Sequence, residues 1–288
     1  MKWIKKHAST LLLFLFLVIG VGLISYPTVA DYYNSWLQRN AISSYADHVI
    51  NMDTDRYEEI REAAERYNQD IAENGLKLTM SDVETNEYNN ELKMDESLAM
   101  GYIEIPKIHA KLVIYHGNSE EVLRTGVGHM TGTSLPIGGE TSHCVLSGHR
   151  GLPSAKLFTN LDKLGMGDTF TINVLDMTLT YEVDQIRIVN PNDLTAILLE
   201  NGKDYCTLVT CTPYGVNTQR LLVRGQRVDN PSGEASVIAD ALQIEPIYIA
   251  PFVAVPILLL LLILMLISTH RRAGKNGGEK SEKSQKNH

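Results

Sequence analysis

Cysteine is scarce in this chain, with three in 288 residues, at Cys144, Cys206 and Cys211. An odd count leaves at least one thiol free, which excludes a disulfide framework. Cys144 and Cys206 sit inside apolar β-prone runs and read as small buried hydrophobes. Zinc ligation by Cys144, His149, Cys206 and Cys211 is allowed by residue type. The spacings Cys-x4-His and Cys-x4-Cys are wider than the tight knuckles of zinc motifs, and no metal is expected. Positive charge is lacking through the body of the chain. The formal net charge is −8, residues 1–7 carry three Lys, and residues 269–288 carry six Lys or Arg against two Glu; removing +3 and +4 leaves −15 for residues 8–268. Nucleic acid is therefore not an expected partner, because the phosphate backbone demands clustered Lys and Arg.

Long apolar runs stand at the two ends. Residues 1–30 combine a basic start with an apolar stretch from Ala8 to Tyr26, broken only by Ser9, Thr10 and Ser25. This pattern predicts a signal anchor retained as a transmembrane segment, since Pro27-Thr28-Val29-Ala30 is a weak cleavage site. Residues 247–268 form a second almost uniformly apolar run, with Pro251 and Pro256 inside and Arg271, Arg272 and Lys275 following. It is long enough to span the bilayer. Basic residues mark the cytoplasmic side, so a two-pass protein is expected, with both termini inside the cell membrane and residues 31–245 outside. A linker at 231–246 precedes the second span, and a basic, disordered tail at 269–288 follows it.

Between the ends, residues 31–99 divide into helices and a loop. Tyr57, Ile60, Ala64, Tyr67 and Ile71 recur at three- and four-residue steps, with Asp53 or Thr54 as N-cap and Gly75 as stop. The stripe reads as packing against the body. Tyr32 to Ile50 is a separate, less regular helix. Leu76 to Met100 is acidic and without period, and reads as a long surface loop. From Met100 the pattern changes to eight short β-prone runs: 102–105, 111–115, 126–130, 143–147, 169–175, 179–189, 205–210 and 220–228. They predict a mainly β domain over residues 100–230, a closed barrel or a sandwich. Asp193 to Glu200 is expected to form a short helix before the seventh strand.

One stretch carries the chemistry. The run 205–210 delivers Cys211 to a strand end, Thr212-Pro213-Tyr214-Gly215 breaks the strand, and a second run returns from Arg220. A thiol becomes a strong nucleophile only as the thiolate, so a catalytic cysteine needs a base or cation beside it. His149, at the end of another run and flanked by Gly148 and Gly151, is the preferred base. His109, His116, His129 and His143, on or beside strands, read as satisfied structural imidazoles. Arg220 is a candidate oxyanion donor, with Arg224 sharing its strand face and Arg227 as competitors.

The segments Thr210-Cys211-Thr212-Pro213-Tyr214-Gly215, Arg220-Leu221-Leu222-Val223-Arg224-Gly225, Leu135-Pro136-Ile137-Gly138-Gly139, Gly148-His149-Arg150-Gly151-Leu152-Pro153 and Gly101-Tyr102-Ile103-Glu104-Ile105-Pro106 resemble the sortases, and among them the class C, pilin-polymerising branch. The resemblance runs from about Met100 to Val228. It implies an eight-stranded sortase-type β-barrel with N-terminal helices and two terminal transmembrane helices. It also implies Cys211 as nucleophile, His149 as proton carrier and Arg220 as the substrate and oxyanion arginine. The implied partners are pilin subunits bearing a Leu-Pro-x-Thr-Gly-like sorting signal, joined to a Lys amine of another pilin without any cofactor. A housekeeping sortase acting on cell-wall precursor, a cysteine hydrolase and a non-catalytic assembly scaffold are the alternatives. Class C sortases commonly carry an Asp-Pro-aromatic lid motif before the first strand. With no proline between Pro27 and Pro106 that motif is missing here, and Met94-Asp95-Glu96-Ser97 stands near its place. The loop is therefore expected to cover Cys211 loosely or not at all.

Overall fold

A computed structural model describes residues 2–94 and 99–230, together with the single position 263. The expected linker, second apolar run and basic tail lie outside the described residues, apart from that one position. So do residues 95–98 in the stretch where a lid motif would stand. The chain divides into two compact units, residues 29–234 and the two chain ends.

The first helix, α1, runs Lys2–Ile50 with Pro27 inside it. This corrects the expectation of a separate helix from Tyr32: no helix break intervenes. Its apolar stretch makes α1 long and apolar enough to cross a membrane. Further along, Asp31, Gln38, Ile42 and Tyr45 are buried. Their spacing puts them on one face of the helix, where Ile42 and Tyr45 pack with Ala99 and Val113 of the barrel. Helix α2 (Thr54–Asn74) starts at the expected Asp53 cap and stops at Gly75. Its stripe packs inward as read, with Ile60, Ala64 and Ile71 buried.

The segment read as a structureless loop holds a third helix, α3 (Asp82–Tyr88). Ser81 and Glu84 cap each other's backbone reciprocally, the sequence signature Ser-x-x-Glu that hydropathy alone passes over. The helix is worth forming because it drives Tyr88 into the core, where its hydroxyl bridges to the His129 ring at 2.8 Å.

Eight strands follow: β1 (Ala99–Ile105), β2 (Ala110–His116), β3 (Val127–His129), β4 (Ser142–Ser147), β5 (Thr169–Val174), β6 (Met177–Val189), β7 (Asp204–Thr212) and β8 (Gln219–Val228). Each falls on one of the eight β-prone runs. They close into a barrel in the order β1-β2-β3-β4-β7-β8-β6-β5. Closure leaves no free sheet edge and decides between the two architectures left open by the pattern. The interior is filled by alternate residues, among them Ile103, Leu146, Phe170, Tyr181, Leu208 and Val223. A short helix, α4 (Glu120–Thr125), with Ser119 as N-cap, connects β2 to β3 and was not anticipated. Between β6 and β7 only a 3-10 turn forms, Thr195–Ile197, in place of the expected helix. The Asp193 carboxylate accepts from both the backbone and the hydroxyl of Thr195, satisfying locally the groups a helix would have used.

Candidate active site

Strands β4, β7 and β8 are neighbours, and their register builds the site. β4 and β7 are parallel, with Cys144 opposite Cys206 and Ser147 opposite Val209. Beyond Ser147 the pairing continues: Gly148 N–H donates to the Val209 carbonyl at 3.0 Å, and the Thr210 hydroxyl donates to the Gly148 carbonyl at 2.7 Å. His149 follows next in the chain, as Cys211 follows Thr210 in β7. On the other side β7 and β8 are antiparallel, and Cys211 stands directly opposite Arg220. Residues so paired have Cβ atoms about 4.5–5.5 Å apart. Strands β7 and β8 thus carry Cys211 and Arg220 as a pair, and His149 stands two residues beyond the end of the neighbouring β4, giving one row along three adjacent chain segments.

Alternation decides which face this row occupies. Cys144, Leu146, Cys206, Leu208, Leu221 and Val223 belong to the barrel interior. Val145, Val209 and Leu222 belong to a second cluster on the outside, with Ala196 and Ile197 of the β6–β7 connection. Two-residue steps from Val209 and Leu222 lead to Cys211 and Arg220, so both share this outer face. The β6–β7 connection roofs the face further back, where the Leu198 carbonyl meets His143 Nδ1 at 2.9 Å. The roof stops short of the row: Cys211, His149 and Arg220 are all half-buried.

The side chains in the row have few commitments. His149 Nε2 lies 3.4 Å from the Glu120 carboxylate at the start of α4, but is not aimed for a hydrogen bond. The Arg220 guanidinium donates only to its neighbouring carbonyls, Asn217 at 3.3 Å and Gln219 at 3.0 Å. Among the described residues no carboxylate is paired with it. Arg224, the competitor on the same face, is fully engaged. It pairs with Asp184 at 2.7 Å and Glu200 at 3.0 Å, and it lies over the Tyr205 ring at 3.9 Å. Arg227 lies over Tyr181, away from the row.

Of the four other histidines weighed, three are bound into structure, and His109, read as a satisfied imidazole, is instead exposed. His129 Nε2 meets the Ser134 carbonyl at 2.8 Å and His143 Nε2 meets the Thr207 hydroxyl at 2.7 Å, both fully buried. His116 Nε2 meets the Glu91 carbonyl at 2.6 Å. His109 is exposed in the turn before β2 at a φ of 51°. The four residues weighed as zinc ligands are split between the two faces. Cys144 and Cys206 are buried inside, and Cys211 and His149 stand outside. Among the described residues no group of three or more His, Cys, Asp or Glu could hold a metal.

The glycines beside His149 serve packing. A Cβ at Gly148 would lie 2.6 Å from the Phe158 ring, and Gly151 sits at a φ of 81° under the Tyr214 ring. Arg150 was not singled out by the sequence, yet it ties the two loops of the site together. It pairs with Asp162 at 2.5 Å, donates to the Thr212 hydroxyl at 3.3 Å and lies over Tyr214 at 5.8 Å. Two cavities, of about 240 and 300 Å³, lie between α2 and α3 and beneath the β6–β7 connection. Neither is lined by Cys211, His149 or Arg220.

A closed barrel with a half-buried thiol, imidazole and free guanidinium in one row has the makings of a cysteine acyl-transfer enzyme. The sortase domain model matches residues 103–228. Sortase D of Bacillus subtilis is 34% identical over 139 residues, covering 47% of this chain and 67% of that protein. Among solved structures, sortase C1 of Streptococcus agalactiae is 54% identical with a TM-score of 0.65, covering 66% of this chain and 99% of that one. Sortase C of Streptococcus pneumoniae, whose structure is described as informing pilin substrate specificity, is 44% identical with a TM-score of 0.59, covering 66% and 97%. The chain belongs to the sortase family of cysteine transpeptidases, and its strong structural likenesses are to class C members.

Proposed function

We propose that this protein polymerises pilins. It would cleave a Leu-Pro-x-Thr-Gly-like signal of one subunit and transfer the new acyl group to a lysine amine of another. Cys211 is the nucleophile: its thiolate attacks the Thr carbonyl, and the C–N bond to Gly breaks. His149 delivers a proton to the departing Gly amine, leaving a thioester on Cys211. The incoming amine attacks that thioester, His149 accepts its proton, and the thiolate is released as an isopeptide bond forms. Arg220 holds the oxyanion in both half-reactions, a role open to it because it has no carboxylate partner among the described residues. A half-buried row beside an apolar shelf disfavours water as the competing acceptor. The observation that carries this reading is the register: Cys211 faces Arg220 across one ladder, and the ladder on its other side ends at Ser147, two residues before His149.

The enzyme is further read as a two-pass membrane protein. The apolar stretch of α1 forms one span and residues 247–268 the other, with the barrel outside the cell. Incubating the protein with candidate pilins and mapping joined residues by mass spectrometry tests the function. A Thr carbonyl linked to a pilin Lys Nζ is expected. Release of hydrolysed pilin alone, with amine acceptor in excess, would sink the polymerase assignment in favour of a hydrolase.

A further inference from the structure

Between the apolar stretch and the barrel, α1 shows two faces of opposite character. One face is fixed to the barrel at three levels. Near its start, Asp31 accepts from the Lys156 backbone N–H at 3.0 Å and lies 3.6 Å from the Lys156 ammonium. In the middle, Gln38 donates to the Thr125 carbonyl and accepts from Val113 N–H at 2.8 Å. At the far level, the Tyr45 hydroxyl donates to the Met100 carbonyl at 2.9 Å and accepts from Leu175 N–H at 2.8 Å. The opposite face carries Val29, Tyr32, Tyr33 and Trp36, between 50% and 65% exposed, with Tyr33 and Trp36 stacked at 6.0 Å. Nothing among the described residues covers it.

The three ties give the barrel a direction relative to α1. Lys156 lies in the loop that follows His149, beyond the end of β4. Thr125 precedes β3, whose Gly128 pairs with Ser147 at that same end. Met100 begins β1. Since β3 is parallel to β2 and antiparallel to β4, and β1 is antiparallel to β2, strand β1 runs the same way as β4 and β7. Its first residues therefore stand at the end of the barrel opposite Cys211. The order along α1 is thus catalytic end first and opposite end last, over about 21 Å from Asp31 to Tyr45. Asp31 follows Tyr26, the last residue of the apolar run, by five positions. Even a fully extended chain places them within about 18 Å.

We propose that Val29, Tyr32, Tyr33 and Trp36 lie in the phospholipid headgroup layer and hold the catalytic end of the barrel against the outer membrane surface. Tyr and Trp favour this layer because an apolar ring and a polar edge are both satisfied there. The occupant is lipid because the covalent chain tethers this face next to the span. This deepens the membrane reading above and rests on it.

The test uses the full chain carrying Trp3→Phe, which leaves Trp36 as its only tryptophan, in phosphatidylcholine–phosphatidylglycerol vesicles. A nitroxide on the lipid headgroup is expected to quench most Trp36 emission, which should be blue-shifted. Emission typical of water, unquenched, overturns the proposal. Blue-shifted but unquenched emission also overturns it, pointing to a second copy or the C-terminal segment as the cover. Loss of the protein from the vesicles on carbonate washing removes the span itself and the proposal with it. A second arm uses the triple variant Tyr32→Ser, Tyr33→Ser, Trp36→Ser. Cleavage of a vesicle-anchored sorting peptide should fall severalfold while cleavage of the same peptide in solution holds. An equal fall in both, or no fall in either, overturns the proposal.

Discussion

Two cysteine–histidine groupings lie on opposite faces of the sheet around β4 and β7, with His129 supplied by β3 and His149 by the segment after β4. The contrast between them bears on which one can be chemical. Inside the barrel, Cys144 and Cys206 face each other across the parallel ladder with His129 beside them. Burial pushes the Cys206 thiol well up. Burial also opposes ionisation of Cys144, but hydrogen bonds with Cys206 and His129 prevail and draw it down. Both nitrogens of His129 are occupied, and a substrate has no access. Outside, Cys211 and His149 are half-buried, and His149 Nε2 has no hydrogen bond. The same residue types are locked into structure where their polar atoms are satisfied, and are left open to the proposed chemistry where some are free. The arginines repeat the lesson, with Arg224 locked in ion pairs and Arg220 available.

The sharpest way to break this comparison is to exchange the fates of the thiols. Cys211→Ala should bring transpeptidation to background in both half-reactions, with little change in Tm. Cys144→Ala should retain activity and lose about 1–2 kcal/mol of stability by truncation in a packed core, read by denaturant unfolding. An active Cys211→Ala enzyme would remove the outer site from the chemistry. The arginine pair offers the next largest contrast. Arg220→Ala is expected to lower kcat/KM about 100- to 1000-fold, the usual cost of an oxyanion donor, with the fold intact. Arg224→Ala should instead cost about 1–2 kcal/mol of stability for its charged hydrogen bonds and leave kcat within a few-fold. The reverse pattern would exchange their roles.

A smaller effect concerns His143, roofed on the outer face, where burial lowers its pKa from 6.5. The unfolded chain then binds the proton more readily than the folded one. Stability is full above about pH 6.5 and falls as pH drops through the window between that value and the lower, folded one. His143→Gln should flatten the Tm-against-pH curve in that window; an unchanged slope would place the sensitivity elsewhere. Smallest is Glu120→Gln, which removes the carboxylate 3.4 Å from His149 Nε2. An ion pair with a fully exposed carboxylate is screened by water and worth little, so kcat should fall by no more than about fivefold. A hundredfold loss would make Glu120 part of the proton machinery.

Much of this was legible in the residues. The eight strands could be read because alternation and turn residues are local properties, and the caps of α2 because Asp53 and Gly75 mark its ends. Helix α3 was missed where the acidic surface of 76–100 hid a capping box, and its driving force, Tyr88, is buried by contacts distant in sequence. Helix α4 is too short to show a period, although Ser119, the acidic Glu120 and Glu121, the basic Arg124 and the closing Gly126 mark its ends. The choice of Arg220 over Arg224 could not be made from their positions, since both point the same way along β8. It depends on Asp184 and Glu200, which reach Arg224 from other parts of the chain.

The chain order by itself determined the residue types, the strand runs and a thiol at the edge of a turn, because propensity and periodicity act over a few neighbours. Only the tertiary structure decided that Cys211 pairs with Arg220 on the outer face, with His149 just past the end of the neighbouring strand, while Cys144, Cys206 and His129 are sealed inside. Strand pairing across tens of residues sets that register, and burial then fixes which polar atoms remain free to react.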